Sequence, residues 1–186
     1  MEKKEAILNA AMHLITENGF HGTPMSMVAK RANVAAGTIY HHFENKEDLI
    51  NQLYASLKRK FGEALMKNNS SDGNVKEQFF QLWMNMYEYF INNPEEFRFL
   101  EQYANSPFIE KEIREANQQT YQPAIEFLME GMNKGVLREM DPILMANLLY
   151  GAVVAVAKIH LAGQLNIDQS KLQQAIQSCW DGVRIN

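Results

Sequence analysis

Residues 37 to 46 carry a run of side chains that donate hydrogen bonds: Thr38, Tyr40, His41, His42 and Lys46. Hydroxyl, imidazole and ammonium groups of this kind donate to the phosphate oxygens and base edges of DNA. Small residues precede them, at Ala36 and Gly37, and permit close approach to a ligand. The free amide groups of a helix beginning here also favour phosphate. The segment therefore has the donors expected of a surface that contacts nucleic acid.

Two short predicted helices position these side chains. In the first, Met25, Val28, Ala29 and Ala32 recur at helical spacing, which predicts one buried stripe. Thr23 followed by Pro24 is typical of an N-cap and a first helical residue.

The second predicted helix runs from about Ala36 to Phe43, with Ile39 and Phe43 one turn apart and directed inward. Asn33, which tolerates a left-handed conformation, begins the connection of about four residues. This spacing is that of a helix-turn-helix, although an ordinary packed helical hairpin has the same pattern.

Three strings in this region resemble the DNA-binding domain of the TetR family over about 45 residues: Gly19-Phe20-His21-Gly22-Thr23, Val28-Ala29-x-x-Ala32-x-Val34 and Gly37-Thr38-Ile39-Tyr40-His41-His42-Phe43-x-Asn45-Lys46-Glu47-x-Leu49. The resemblance implies DNA contacts on the second helix by Thr38, Tyr40 and His42, and a phosphate contact by Lys46. It also implies that Thr23 and Ser26 flank the DNA backbone. With Gly37 and His41, these are the predicted DNA-binding residues.

Four positions depart from the family's usual residues. Alanine stands at 35, where serine or threonine often caps the recognition helix, and at 36, where a polar or basic residue is common. Met27 and Asn33 replace an acidic residue and a glycine. Without a polar side chain at 36, sequence readout is expected to depend on DNA shape and phosphate contacts.

The rest of the chain is also predicted to be helical, giving an all-α fold of about nine helices. Asn45 and Asp48 predict a capped long helix after the helix-turn-helix. A long helix is expected over 107–134, with a break near Gln122 because Pro123 follows. We predict a DNA-binding domain over 1–46 and an effector-binding and dimerisation domain over 47–186.

Aromatic side chains are dense in the second half, and five are predicted to bind a small-molecule effector: Trp83, Tyr87, Phe90, Tyr103 and Tyr121. The alternative is that they are core residues of a helical bundle. The resemblance assigns a homodimer interface to the last two helices. The first carries Leu148, Gly151, Ala152, Ala155 and Ile159, and the second carries Leu172, Ala175, Ile176 and Cys179.

Several classes of protein are disfavoured. Metalloprotease, serine-hydrolase and nucleotide-binding motifs do not occur, so no catalytic residue or cofactor is expected. A metal pair at His41 and His42 is disfavoured because adjacent helical residues point to different sides. The apolar run that begins at Leu148 stops at Lys158, and the N-terminus is amphipathic, which predicts a cytoplasmic protein without a membrane contact.

The sequence thus predicts a transcriptional regulator rather than an enzyme. Its expected partners are an operator in double-stranded DNA, a small-molecule effector and a second copy of the chain. A net charge of −4 gives no independent indication of DNA binding. The alternative is a helical ligand-binding protein whose helix-turn-helix no longer binds DNA.

Overall fold

The computed structural model of the chain describes residues 3–68 and 74–185, except the side chains of residues 117 and 118. Within these ranges the chain forms ten α-helices: α1 (Lys3–Asn18), α2 (Met25–Ala32), α3 (Ala36–His42), α4 (Lys46–Leu65), α5 (Val75–Asn92), α6 (Pro94–Tyr103), α7 (Lys111–Gln118), α8 (Gln122–Asn133), α9 (Pro142–Leu161) and α10 (Gln169–Val183). A 3-10 turn occupies Gln119–Tyr121, and Leu137 and Arg184 form one isolated antiparallel bridge. The all-α prediction is confirmed.

The additional helix arises where a single one was expected over 107–134. Pro123 lies in the first turn of α8, where its missing N–H is harmless. Helix α7 ends at Gln118, and a 3-10 turn separates it from α8. The segment also begins later than predicted, because Ser106 to Ile109 forms a turn closed by the bond from the Ile109 amide to the Ser106 carbonyl, 3.2 Å.

The described residues fall into two compact units. The first contains residues 1–59 and 94–118, and the second contains 60–93 and 119–186. The first unit therefore extends beyond the predicted boundary at residue 46 and includes α6 and α7. Helix α4 begins in the first unit and ends in the second.

In the first unit, α1, α2 and α3 share a small apolar core. Ile7 and Ile15 of α1, Val28 of α2 and Ile39 of α3 are almost fully buried, and so is Phe43 just after α3. Asn33 joins α2 to α3 in the left-handed conformation, with φ 55° and ψ 46°, as its residue type predicted. The Val34 amide donates to the Ala29 carbonyl at 3.1 Å and closes this helix end.

Helix α4 has the N-terminal cap that the sequence predicted. The Asn45 side-chain oxygen accepts from the Asp48 amide at 2.7 Å, and the Asp48 carboxylate accepts from the Glu44 amide at 2.9 Å. The first bond satisfies an amide that the first turn of a helix leaves without a partner, and the second restrains Glu44, which precedes the cap residue. This cap sets the residue at which α4 starts and hence the place of Lys46.

The second unit is organised around α5, whose aromatic residues are buried on several faces. Asn74, Asp141 and Asp168 cap α5, α9 and α10, each accepting from the amide three residues later at 2.9 Å. The caps of α9 and α10 define the start of the two helices that were predicted to form a dimer interface.

Helix α3 lacks such a cap, since Ala35 occupies the N-cap position without a side-chain acceptor. We expect Ala35→Ser to raise the free energy of unfolding by about 1 kcal/mol, because serine adds a side-chain acceptor for the amide groups of the first turn of α3. Urea denaturation would measure the change. Ala36→Ser is the matched control, since a hydroxyl one residue later stands inside the helix. An equal gain from both variants would contradict the capping explanation.

Candidate functional site

One face of α3 is presented to solvent. Gly37, Tyr40 and His41 are exposed, and 58% of the Tyr40 surface is accessible. Thr38 and His42 are half-buried at the edges of this face. Its opposite side is anchored by Ile39, which is completely buried. The structure therefore brings together five of the predicted DNA-binding residues on a short helix whose orientation is set by burial.

Helix α2 adds exposed polar side chains to the same unit. Ser26, in the first turn, is exposed as predicted, and so are Lys30 and Arg31 near the end of the helix. Met27 is also exposed, with 39% of its surface accessible. In the family that the sequence resembles, an acidic residue is usual at this position. The absence of an acid there leaves α2 with no negative charge to repel a phosphate backbone.

The predicted role of Thr23 is wrong. Its side chain is fully buried, and its hydroxyl donates to the carbonyls of Leu14 at 3.1 Å and Gly19 at 2.9 Å. The two carbonyls lie near the end of α1, and that of Leu14 also accepts from the Asn18 side chain at 3.1 Å. Pro24, not Thr23, is the residue before α2, so Thr23 neither caps that helix nor reaches DNA.

Lys46 lies at the first position of α4, but its ammonium group already has a partner. It donates to the Phe20 carbonyl and lies 4.3 Å from the centroid of the Phe20 ring. Burial lowers the pKa of Lys46, and the nearby Glu47 carboxylate opposes the shift. An ammonium has three donors, so this attachment leaves capacity for a second acceptor.

Four of the five predicted effector-binding residues belong to the second unit. Trp83, Tyr87 and Phe90 lie on successive turns of α5 and are each at most 3% exposed. Trp83 stacks on Tyr87 with ring centroids 5.8 Å apart, and the Tyr87 hydroxyl is hydrogen-bonded to His160. Their dense packing agrees with the alternative that they are core residues.

A second aromatic cluster surrounds Phe61 near the end of α4. The ring centroids of Phe90, Tyr121 and Tyr150 lie 5.2, 5.7 and 6.4 Å from that of Phe61. Phe61 was not predicted as a site residue, although its position on the apolar stripe of α4 was a usable signal. It connects two of the predicted effector-binding residues to the helix that begins at Lys46.

The fifth predicted residue, Tyr103, belongs to the first unit. It stacks on Phe99 with centroids 4.8 Å apart and is 4% exposed. Burial raises the pKa of Tyr103, and the backbone of Phe20 partly opposes the increase. Residue type alone gave no means of assigning Tyr103 and the other four residues to different units.

Helix α9 has one buried face and one exposed apolar face. Met145, Leu149 and Val153 are buried in the second unit. The other face exposes a stripe of apolar and small residues, namely Leu144, Leu148, Gly151 and Ala155. By length and composition α9 could also cross a membrane, although part of its apolar surface is already buried.

Helix α10 presents a mainly polar exposed face with several glutamines and serines: Gln169, Ser170, Gln173, Gln174 and Ser178. Ile176, which was predicted to take part in a dimer interface, is instead 6% exposed and packs in the core. Leu172, Ala175 and Cys179 are half-buried and border the exposed face.

Two polar residues on the packed side of α4 were missed by the sequence analysis. Asn51, 4% exposed, accepts from the Glu110 amide at 3.0 Å and donates to the Glu110 carboxylate at 3.3 Å. Lys58, seven residues later on the same stripe, lies 5.6 Å from the centroid of the Tyr54 ring. Burial lowers the pKa of Lys58 to about 8, and the negative charge of Glu101 opposes the shift.

Two family models match nearly the whole chain. The model for bacterial regulatory proteins of the tetR family matches residues 7–53, and the model for the tetracyclin repressor-like C-terminal domain matches residues 53–185. The chain belongs to the TetR family. The helix-turn-helix predicted from residue spacing is therefore the DNA-binding element of a TetR family regulator, and the chain is not an enzyme.

Three similar proteins support this assignment. An uncharacterised HTH-type transcriptional regulator of Haemophilus influenzae is 35% identical over 103 residues, which are 55% of each chain. The fatty acid metabolism regulator protein of Bacillus subtilis is 29% identical over 86% of this chain and 75% of its own. The structure of the transcriptional regulator FadR from Bacillus subtilis in complex with stearoyl-CoA superposes with a TM-score of 0.72 at 23% identity, covering 95% of both chains. This last likeness shows a shared fold.

Lys58 is half-buried, and its lowered pKa has a consequence for stability. Keeping Lys58 charged in the folded state costs free energy, so Lys58→Met should raise the free energy of unfolding at pH 7, by roughly 3 kcal/mol at most. Between about pH 8 and 10.5 the folded protein loses this proton before the unfolded chain does. The free energy of unfolding of the wild-type protein therefore rises with pH over this range.

The advantage of Lys58→Met over wild type should accordingly shrink from pH 7 to pH 10 in urea denaturation. The exposed Lys111, 77% accessible, provides the control Lys111→Met, for which little change at either pH is expected. A variant advantage that stayed constant with pH would show that the amine is not the origin of the effect.

Proposed function

We propose that this DNA-binding TetR family regulator is a dimeric, ligand-responsive repressor that a small-molecule effector releases from its operator. The observation that carries the proposal is the exposed face of α3, whose opposite side is buried and which shares its unit with the exposed polar residues of α2 and with Lys46. The proposed DNA contacts are Ser26, Gly37, Thr38, Tyr40, His41, His42 and Lys46. Residues 1–46 would read DNA, and the remainder would sense the effector and dimerise in the cytoplasm.

Dimerisation is supported by the exposed stripe of α9. Leu148 is 58% accessible, and Gly151 and Ala155 follow it at helical spacing. Small residues allow a helix of a second copy to approach closely, and isologous contact would cover the apolar stripe. A two-fold dimer would place two α3 helices about one DNA turn, roughly 34 Å, apart on a pseudo-palindromic site.

The effector is proposed to act on the aromatic residues of the second unit. Phe90, Tyr121 and Phe61 offer large apolar surfaces, and Tyr87 and His160 add polar groups. A relative of similar length is named a fatty acid metabolism regulator. An apolar, acyl-thioester effector is therefore the class to test, with stearoyl-CoA as the probe.

Release from DNA is proposed to follow a shift between two populations. An effector that binds one arrangement of the second unit more tightly stabilises it, and α4 carries the difference towards Lys46. A coupling of about 1–3 kcal/mol is sufficient for induction. Saturating stearoyl-CoA should then weaken operator binding about 5- to 150-fold in a fluorescence anisotropy titration. Unchanged affinity despite measured stearoyl-CoA binding would contradict this mechanism.

The competing function is a ligand-binding protein whose helix-turn-helix no longer binds DNA, since Ala35 and Ala36 remove a cap and a polar contact. Binding to DNA from the region upstream of its own gene distinguishes the two. A repressor should lose affinity steeply between about 50 and 200 mM salt, as phosphate contacts release counterions. Absence of binding at low salt would favour the competing function.

The exposed hydroxyl of Tyr40 provides a direct test of the α3 surface. Tyr40→Phe should weaken operator binding about threefold to tenfold by removing one phosphate hydrogen bond, with equal loss on scrambled DNA. Stability should be unchanged because the side chain is 58% exposed. Tyr150→Phe in the second unit is the control. If both variants bound DNA like wild type, Tyr40 would not be a contact.

The α9 stripe can be tested by charge. Leu148→Glu should convert the dimer to a monomer, because two carboxylates would be buried without partners near the two-fold axis. Sedimentation velocity would report the loss of half the mass. Met129→Glu changes a side chain of similar exposure, 45%, on α8 and should leave the dimer intact. A wild-type monomer, or a dimeric Leu148→Glu variant, would remove α9 as the interface.

A further inference from the structure

The position of the Lys46 ammonium is determined by Phe20. Its hydrogen bond to the Phe20 carbonyl and its place 4.3 Å from the ring centroid restrain a side chain that would otherwise sample many rotamers. Phe20 itself is 6% exposed and lies just after α1. Lys46 is therefore held in one place before any phosphate arrives.

The Phe20 ring is in turn held by two aromatic rings, those of Phe108 and His21. Phe108 stacks on it with ring centroids 4.0 Å apart and an angle of 17° between the planes. The His21 ring meets both edges-on, with centroids 5.5 Å from Phe20 and 5.2 Å from Phe108.

From this chain of contacts we infer that Phe108 is a positioning residue for the DNA contact of Lys46. Phe108 touches Phe20 from the connection between α6 and α7, and Phe20 touches the ammonium group. Preorganising a lysine lowers the entropy lost when it binds phosphate, and the remaining N–H donors stay available. This inference rests on the proposed DNA-binding function. A change in the α6–α7 connection would then alter the affinity for DNA through the position of Lys46.

The test uses the full-length protein and labelled DNA from its own upstream region. Affinity is measured by fluorescence anisotropy at several salt concentrations for wild type, Lys46→Met, Phe108→Leu, Phe108→Tyr and the Lys46→Met/Phe108→Leu double variant. Leucine retains apolar volume but removes the stacked ring, whereas tyrosine retains the ring. Circular dichroism and thermal denaturation establish that each variant is folded.

Lys46→Met should reduce the slope of log K against log salt by about 1, the contribution of one phosphate contact. Phe108→Leu should reduce the same slope in part and weaken binding about threefold. In the double variant the two losses should not add, because both remove the same interaction. Phe108→Tyr should restore the wild-type slope. A purely structural role of Phe108 would change stability without changing the slope.

Glu95→Gln is the matched control. Glu95 accepts from the His13 ring at 2.8 Å and so joins α6 to α1 without touching Phe20 or Lys46. Its salt slope should equal that of wild type. If Lys46→Met lowers the slope but Phe108→Leu does not, or if the two losses add fully, the positioning role is overturned while the DNA contact stands. If Lys46→Met itself has no effect, the proposed Lys46 contact fails.

Discussion

Burial of Ile39 and Phe43 is the constraint on which the DNA-binding surface depends. Helix α3 has seven residues, far fewer than an isolated helix needs to be stable in water. Its conformation must therefore come from packing, and both side chains are at most 1% exposed against the core formed with α1 and α2. The same packing decides which residues face outward. A substitution that loosened Ile39 would thus alter every contact on the exposed face at once.

The exposed face of α3 is well oriented but has few side chains that can hydrogen-bond to a base pair. Its first two residues are Ala36 and Gly37, which cannot form bidentate hydrogen bonds with a base pair. Tyr40, His41 and Thr38 supply single donors, and no charged side chain lies on the face itself. With the proposed DNA contacts, affinity would come largely from phosphates bound by neighbouring residues. The placement of Lys46 would then matter more than in a protein with a strongly basic recognition helix.

Local patterns in the sequence were sufficient to predict most helices and the residues at which they end. Asn33, Asn45 with Asp48, and Pro123 each act through their own backbone neighbourhood, so their consequences could be predicted from spacing. The role of Thr23 could not be predicted in this way, because its hydroxyl donates to carbonyls at and just beyond the end of α1. The environment of Lys58 could not be predicted for a related reason: a lysine is ordinarily at the surface, and only the packed helices show it to be half-buried and partly desolvated.

Helix α4 contains residues of both units. Lys46 stands at its first residue, and Phe61, fifteen residues later, lies among Phe90, Tyr121 and Tyr150. In the proposed mechanism, an effector that bound near Phe61 would act on α4 itself, by shifting or bending the helix. The capped first turn and the attachment of Lys46 to Phe20 resist fraying at that end, so a shift of α4 would also move the Phe20 and Phe108 rings.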